Sequence, residues 1–299
     1  MNDMPGTAIN GRLPRYRRAT TGVACVFTPR DLEILRTVES FRLLTSEQIC
    51  ALIAGSEQGI LRRLQKLFHD GYLDRLRPRF VDGGGSSKMM YAITNKGAQR
   101  LHKAGLIRGV AKTDLNARNR EVGDLYIAHR LLVSHLRTVL AAACGARPGL
   151  ELVSWREGRE IRDSIEVALP ERYASVPIAA DGFFTIRDAQ GRTHYFAEAD
   201  CGSMSIKRFT LKLKAFAAYY RQRRHVERFG IRHFRVLTVA TSRVRCKNLM
   251  DAAAAAEDVR KDGRLFLFAA VESLPLAEPG NIFARIWTVP GREEPCSLL

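Results

Sequence analysis

The spacing of apolar residues changes once along the chain, close to residues 145–149. Before this point apolar residues recur mainly at helical spacing, and after it short apolar runs typical of strands alternate with helices. With 299 residues, the chain is long enough for two domains that each bury a core. The pattern therefore predicts a mostly helical N-terminal part and an α/β C-terminal part.

Start and stop signals predict three helices in the N-terminal part. The first covers residues 28–40, where Thr28 caps and Pro29 takes the first helical position. The second begins at the capping box Thr45-x-x-Gln48, and the third covers residues 57–70. A short helix, a tight turn and a basic third helix are typical of a helix-turn-helix.

The spacing divides the third helix into an apolar and a polar face. The inner face is predicted to contain Ile60, Leu61, Leu64, Leu67 and Phe68. We predict that the outward face contacts DNA through Gln58, Arg62, Arg63, Gln65 and Lys66. The alternative, that these residues only form a solvated surface, stays open.

A hairpin pattern after the third helix predicts a wing. Residues 72–77 and 89–93 supply its strands, and a Gly-rich loop joins them. Arg77 and Arg79, at and in this loop, are predicted DNA contacts. These signals predict a winged-helix domain over residues 25–105, preceded by a disordered basic arm over residues 1–24.

The charge of the chain indicates a polyanionic partner. The net charge is +17, of which +11 lies in residues 1–120. The chain has 38 Arg and 10 Lys, and Arg forks onto phosphates and guanine edges. A GC-rich genome would explain the preference for Arg but not the net charge. Double-stranded DNA is the expected partner.

Other classes of protein lack support in the sequence. The six cysteines form no CxxC pair, so we expect no zinc, and no motif predicts a nucleotide cofactor. No apolar run reaches the roughly 20 residues of a membrane span, and no signal peptide is recognisable. We therefore expect a cytoplasmic protein without a membrane partner.

The C-terminal part is predicted to begin after a linker at residues 106–120, to cover residues 121–290 and to end in a tail at 291–299. Its pattern predicts a long helix, three strands, a helix and a strand, followed by a further helix and strand, and so a layered α-β-β-β-α-β architecture. The predicted elements are 121–143, 150–155, 176–186, 194–200, 205–224, 234–240, 252–259 and 265–270.

Three carboxylates occupy informative places in these strands. Asp181 lies in the second predicted strand, and Glu198 and Asp200 end the third, on the same face. Carboxylates that converge repel one another unless they hold a divalent cation or share protons. The pattern predicts catalytic roles for all three, with one of Lys207, Lys212 and Lys214 on the next helix steadying a phosphate. The alternative is a solvated strand edge.

Several motifs resemble the replication-relaxation family in their order along residues 26–245. They include Leu44-Thr45-x-x-Gln48-Ile49, Tyr91-Ala92-Ile93-Thr94-x-x-Gly97, Ala128-His129-Arg130-Leu131 and Glu198-x-Asp200-x-Gly202. The family is associated with plasmids and other mobile elements. The resemblance implies a role in plasmid replication or DNA relaxation.

The second domain also resembles the PD-(D/E)xK, or restriction-endonuclease-like, superfamily. That resemblance implies that Asp181 and Glu198 bind Mg²⁺ or Mn²⁺. Ala180 replaces the motif proline, and Asp200 stands where the motif has lysine. Lys212 is expected to substitute from the helix; otherwise the domain only binds DNA.

The leading hypothesis is therefore a DNA-binding protein of a mobile element, with metal-dependent nicking by its second domain. The alternatives are a non-enzymatic transcriptional or accessory regulator and, with less support, an RNA-binding factor. Tyr219 or Tyr220 could supply a tyrosine nucleophile, although tyrosines in such a helix more often pack. Expected partners besides DNA are other plasmid replication or mobilisation proteins and a second copy of the chain.

Overall fold

The computed structural model describes residues 15–19, 26–77, 88–110, 113–168 and 173–299. The chain divides into two compact units, Met1–Ser134 and His135–Leu299. The division falls within the long helix α6, Asp124–Ala146. No helix of the described residues is long and apolar enough to cross a membrane.

The first unit contains helices and a small antiparallel sheet. The elements are α1 (Pro29–Phe41), β1 (Leu44–Thr45), α2 (Ser46–Leu52), α3 (Glu57–His69), β2 (Leu73–Leu76), β3 (Met90–Ile93), α4 (Asn95–Lys103) and α5 (Leu115–Glu121). The three predicted helices and the predicted hairpin strands are present in that order, while β1 and α5 were not predicted. The sheet order is β1-β3-β2, with β3 in the centre.

Side-chain caps explain where the first three helices begin. Thr28 and Asp31 form a capping box at α1, and Thr45 and Gln48 form the predicted one at α2. At α3 the Ser56 hydroxyl accepts from the Gly59 N–H. These caps satisfy N–H groups that have no partner inside the helix, so each start is fixed locally.

The core of this unit differs from the prediction at one position of α3. Ile60, Leu64 and Leu67 are fully buried as predicted, but Leu61 is 37% exposed. The reason is geometric, because Leu61 lies about 100° around the helix from Ile60 and on the polar side.

The predicted linker is ordered where the structure describes it. Its residues 115–120 belong to α5, and Leu115 is buried in the core of the first unit. Asn95 joins α4 to this segment, since its side chain accepts from the Leu115 N–H at 2.9 Å and donates to Asp114 at 2.7 Å. The prediction of a linker is wrong for this segment.

The predicted basic arm is also in contact with the first unit over residues 15–19. Arg18 donates to the Phe68 and Leu73 carbonyls and pairs with Asp74 at 2.5 Å. Ala19 is buried and donates to His69 Nδ1 at 3.1 Å. Disorder is therefore the wrong prediction for these five residues. The rest of the arm, the tip of the wing and Arg79 lie outside the described residues.

The second unit is built on a five-stranded mixed sheet. The elements after α6 are β4 (Glu151–Arg156), β5 (Asp163–Ala168), β6 (Tyr173–Ile178), β7 (Gly182–Asp188), β8 (Gly191–Asp200), α7 (Ile206–Arg221), α8 (Arg224–Phe229), β9 (Arg235–Ala240), α9 (Arg243–Ala255), α10 (Glu257–Lys261) and β10 (Phe266–Ala270). The strand order in the sheet is β10-β9-β8-β7-β4. Strands β8, β9 and β10 are parallel, and β4, β7 and β8 pair antiparallel.

The predicted α-β-β-β-α-β order is confirmed in α6, β4, β7, β8, α7 and β9. One predicted strand, 176–186, is instead two strands, because the chain turns at residues 179–181. The first half of the predicted strand belongs to β6, which pairs with β5 in a hairpin. This hairpin packs on α7 through Ile165 and Val176. Sequence analysis missed β5.

The core of the second unit contains closely packed aromatic rings. Phe196 on β8 lies 5.3 Å from Phe216 on α7 and 5.0 Å from Phe234, between ring centroids. The predicted C-terminal tail belongs to this unit, since the Tyr195 hydroxyl donates to the Leu298 carbonyl at 2.8 Å and Leu298 is buried. The prediction of a tail at 291–299 is therefore wrong.

Candidate nucleic-acid interface and carboxylate site

The outer face of α3, defined here as Gln58, Leu61, Arg62 and Gln65, presents a polar stripe with one apolar residue. The spacing i, i+3, i+4, i+7 places the four residues on one side of the helix. Gln58, Leu61 and Arg62 are exposed and Gln65 is half-buried. Lys66, predicted to join them, is half-buried next to this face.

Arg63 lies away from the outer face and contacts a buried carboxylate. Its Nε donates to Asp31 Oδ1 at 2.6 Å, and its Nη2 makes a second, short contact to Oδ2. Asp31 is completely buried and also accepts from the N–H and hydroxyl of Thr28. Burial raises the pKa of Asp31, but the bonds from Arg63 and Thr28 outweigh it and leave this pKa below its ordinary value.

Arg63, predicted to contact DNA, is thus engaged within the first unit, where its pair with Asp31 stabilises the fold. Helical periodicity could place Arg63 at the edge of the apolar face but could not identify Asp31, on another helix, as its partner. Arg77, the predicted contact in the wing, is exposed just after β2. Its guanidinium lies 5.7 Å from the ring centroid of Tyr16.

In the second unit, strand register brings Asp181 next to Glu198. The Asp181 N–H donates to the Ala197 carbonyl at 2.9 Å. Its Oδ2 accepts from the Ala199 N–H at 2.8 Å, so its carboxylate lies at β8 beside Glu198. Glu198 is buried.

Lys212 on α7 completes a carboxylate site that we define as Asp181, Glu198 and Lys212. Its Nζ donates to Glu198 Oε2 at 2.5 Å, and both side chains are largely buried. Burial lowers the pKa of Lys212, but the negative charges of Glu198 and Asp181 outweigh it and raise this pKa above its ordinary value. The structure thus brings together three of the four predicted catalytic residues, with the lysine supplied by the helix.

Asp200, the fourth of the predicted catalytic residues, is held by a different partner. Arg245 on α9 binds it with both arms of the guanidinium, Nε to Oδ1 at 2.7 Å and Nη2 to Oδ2 at 3.1 Å. The Gly202 N–H also donates to Oδ1 at 2.9 Å. Because these bonds occupy both oxygens, the prediction of a catalytic Asp200 gives way to a structural pair. Sequence analysis missed Arg245, which follows Asp200 by 45 residues.

The two candidate tyrosines have different surroundings. Tyr219 is fully buried, and its hydroxyl donates to Asp163 Oδ2 at 2.8 Å. Burial raises the pKa of Tyr219, and the nearby charge of Asp163 raises it further. Because its side chain is fully buried, Tyr219 is not accessible to a phosphodiester in this structure, and the hydrogen bond to Asp163 is consistent with a packing role. Tyr220 is half-buried, and its hydroxyl forms a 2.8 Å hydrogen bond with His233 Nδ1.

The carboxylate site fits a hard divalent cation by its donor chemistry. Mg²⁺ usually binds one or two carboxylates and keeps several waters, and Asp181 and Glu198 supply two such groups. Among the described residues, no cluster of three or more His, Cys, Asp or Glu could enclose a metal.

Comparisons with known proteins agree with the resemblance noted in the sequence. The model of the family described as Replication-relaxation matches residues 35–233, a range that includes α3 and the carboxylate site. No curated protein matches the chain. A solved structure of the restriction endonuclease FokI is similar with 12% identity and a TM-score of 0.29, over 84% of this chain and 42% of that chain. This chain thus spans less than half the length of that structure.

Proposed function

We propose a function from one premise: the chain belongs to the replication-relaxation family. We infer that α3 binds double-stranded DNA by insertion into the major groove, and that the carboxylate site acts on a phosphodiester of the bound DNA. The DNA is that of a plasmid or other mobile element in the cytoplasm. Other replication or mobilisation proteins and a second copy of the chain are the expected partners.

The observation that carries this proposal is the exposed outer face of α3. Its residue types match the groups that a major groove presents. Arg62 can donate two bonds to a guanine edge, Gln58 and Gln65 can each pair with an adenine edge, and Leu61 can contact a thymine methyl. Leu61, which is 37% exposed, adds an apolar group to this otherwise polar face. Arg77 is placed to contact phosphate, which positions a protein without specifying sequence.

The test of DNA binding compares two arginines of the first unit. Arg62→Ala removes a cation from the outer face, and Arg36→Ala removes one from the exposed side of α1. The probe is a duplex selected from a randomised library by the wild-type protein. We expect Arg62→Ala to weaken binding by about 1–3 kcal/mol and Arg36→Ala to change it little. Equal losses in the two variants would contradict base contact by α3.

At the carboxylate site, the proposed roles follow from the contacts of each side chain. Asp181 and Glu198 would hold the divalent cation, and the Ala199 N–H fixes the orientation of Asp181. A bound Mg²⁺ or Mn²⁺ would supply Lewis-acid stabilisation of the phosphate charge. Lys212 donates to Glu198 and has further N–H donors with which to contact a phosphate oxygen.

Nicking is tested with supercoiled plasmid in the presence of Mg²⁺, Mn²⁺ or EDTA. We expect conversion to the open circle with either metal, loss of it in Asp181→Asn and Glu198→Gln, and loss of it in Lys212→Met with metal binding retained. Asp251→Asn, on the exposed side of α9, is the control. The duplex titration of the same variants reports separately whether DNA binding is intact.

A second candidate function is a DNA-binding regulator without catalysis. One observation favours it: Lys212 already pairs with Glu198 and offsets the charge of this carboxylate without a metal. An intact supercoiled plasmid under all three conditions, with tight duplex binding, would support this second function.

A further inference from the structure

A basic cavity of about 1170 Å³ opens in the second unit. We define it by the segments that line it: 192–194 at the start of β8, 230–235 before and at the start of β9, 260–265 between α10 and β10, 289–292 and 298–299. The proposed function uses none of the side chains that line it. The starts of three parallel strands thus meet at one edge of the sheet, around a concave space.

The lining of this cavity is strongly cationic. Seven of its residues are Arg or Lys, and the only acidic side chain is Asp262. Asp262 is bound by Arg221 at 2.7 Å, and Lys261 pairs with Glu257 at 2.9 Å. That leaves six arginines without a carboxylate partner among the described residues: Arg192, Arg232, Arg235, Arg260, Arg264 and Arg292.

Guanidinium groups that line one cavity, whose single acidic side chain is already bound by Arg221, raise the local positive potential, and an anionic ligand relieves it. Arg232, Arg260 and Arg264 are exposed side chains on two different walls of the cavity. They would therefore contact a bound anion from more than one side. A flat basic surface could not do this.

An aromatic group lies beside these cations. The half-buried ring of Tyr220 stacks on His225 at 5.1 Å, and its hydroxyl bonds to His233. Tyr220 and His233 both line the cavity. A positively charged groove with aromatic or imidazole rings is the combination that binds single-stranded nucleic acid.

The cavity is separate from the carboxylate site. Thr193 lines the cavity near the start of β8, and Glu198 lies five residues further along the strand. At about 3.3 Å per residue, these two positions are roughly 16 Å apart. One strand therefore carries a cationic site at its start and an anionic site near its end.

We propose that the basic cavity binds the sugar-phosphate backbone of single-stranded DNA. The observations favour a single strand over a duplex because the arginines surround a concave space, which a flexible strand can enter. A duplex carries its phosphates on a wide, stiff rim. The choice of DNA rests on the proposed function, although the charge and shape of the cavity do not depend on it.

The test is a fluorescence titration of the full chain with a short oligothymidylate and, in parallel, with a duplex. Arg232→Gln combined with Arg264→Gln removes two cations from the cavity. Arg147→Gln combined with Arg159→Gln removes two exposed cations of the same unit that do not line it. We expect the first pair to weaken oligothymidylate binding about tenfold or more and to lower the salt slope by about 1.4, or about 0.7 per lost phosphate contact. The control pair should leave both the affinity for oligothymidylate and the salt slope nearly unchanged.

Several outcomes would overturn the proposal. These are equal losses in the two double variants, an equal loss for duplex and single strand, and a wild-type chain that does not bind oligothymidylate. Displacement of the oligonucleotide by polyglutamate at equal charge would indicate an acidic protein segment instead. Arg62→Ala weakens only the duplex arm if the proposed function is correct, so failure of one idea is distinguishable from failure of the other. Unchanged thermal unfolding of the glutamine variants excludes a folding defect.

Discussion

Each unit buries a carboxylate against a cation, and the two pairs differ in what surrounds them. Asp31 in the first unit is bonded by Arg63 and by both donors of Thr28. Glu198 in the second unit is bonded by Lys212, and Asp181 is close enough to raise the pKa of the same lysine. The first arrangement engages both oxygens of one carboxylate within the fold. The second places two carboxylates near one ammonium group.

Asp200 and Arg245 extend this comparison within the second unit. Both oxygens of Asp200 are bonded by the guanidinium, as those of Asp31 are by Arg63. The two arginine pairs are therefore predicted to behave alike on substitution, and the lysine pair differently.

The largest expected effect follows from breaking the pair in the first unit. Arg63→Ala leaves the fully buried Asp31 without its cation, and loss of one partner of a buried pair costs about 3–5 kcal/mol. We expect the free energy of unfolding, measured by urea denaturation, to fall by that amount. The neighbouring Arg62→Ala should change it by less than about 0.5 kcal/mol. A similar small change in both variants would remove the structural role assigned to Arg63.

A smaller effect is expected from metal at the carboxylate site. Mg²⁺ or Mn²⁺ that binds the folded chain alone stabilises it by about 2.7 kcal/mol at a concentration of 100 times Kd, so the melting temperature should rise. Asp181→Asn should abolish this rise, while Asp251→Asn, in an exposed pair with Lys247, should retain it. If metal stabilises the wild type and both variants equally, the ion binds elsewhere. The contrast between the Asp31–Arg63 pair and the carboxylate site is then lost.

The smallest effect concerns the acid dependence of stability. The pKa of Asp31 is lowered in the folded chain from 3.8, so its contribution is present above pH 3.8 and is lost as the pH falls through the lower folded value. We expect a shallower loss of stability below pH 3.8 in Asp31→Asn than in wild type, by at most about 1.4 kcal/mol per pH unit. Unfolding measured between pH 2 and 6 checks this. If stability falls equally steeply below pH 3.8 in wild type and Asp31→Asn, the pKa of Asp31 is not lowered by folding.

The sequence predicted those features that depend on neighbours along the chain. Capping residues placed the starts of α1 and α2, and alternation placed Glu198 on a strand that ends at Asp200. The structure corrected features that depend on distant partners. Arg63 was assigned to DNA because periodicity locates a face and not the buried Asp31 that it meets, and Asp200 was assigned to catalysis because Arg245 is remote in sequence.

Hairpin β5–β6 was missed for a related reason. Each strand of this hairpin packs one face on α7 and leaves its other face exposed. Only four positions of the two strands are buried: Ile165, Val167, Val176 and Ile178. Such a pattern is weak in a window of a few residues. Tertiary contact with α7, which supplies the rest of the apolar surface, is not visible in the sequence of the hairpin itself.

The position of Lys212 on a helix has a consequence for how such sites are recognised. A sequence motif that requires a lysine two residues after the glutamate does not match this chain. Asp200 occupies that position, and Lys212 comes 14 residues after Glu198. A query written as three points in space, two carboxylates and one ammonium, accepts it. Relatives with the lysine on yet another element would be invisible to the first kind of search and equivalent under the second.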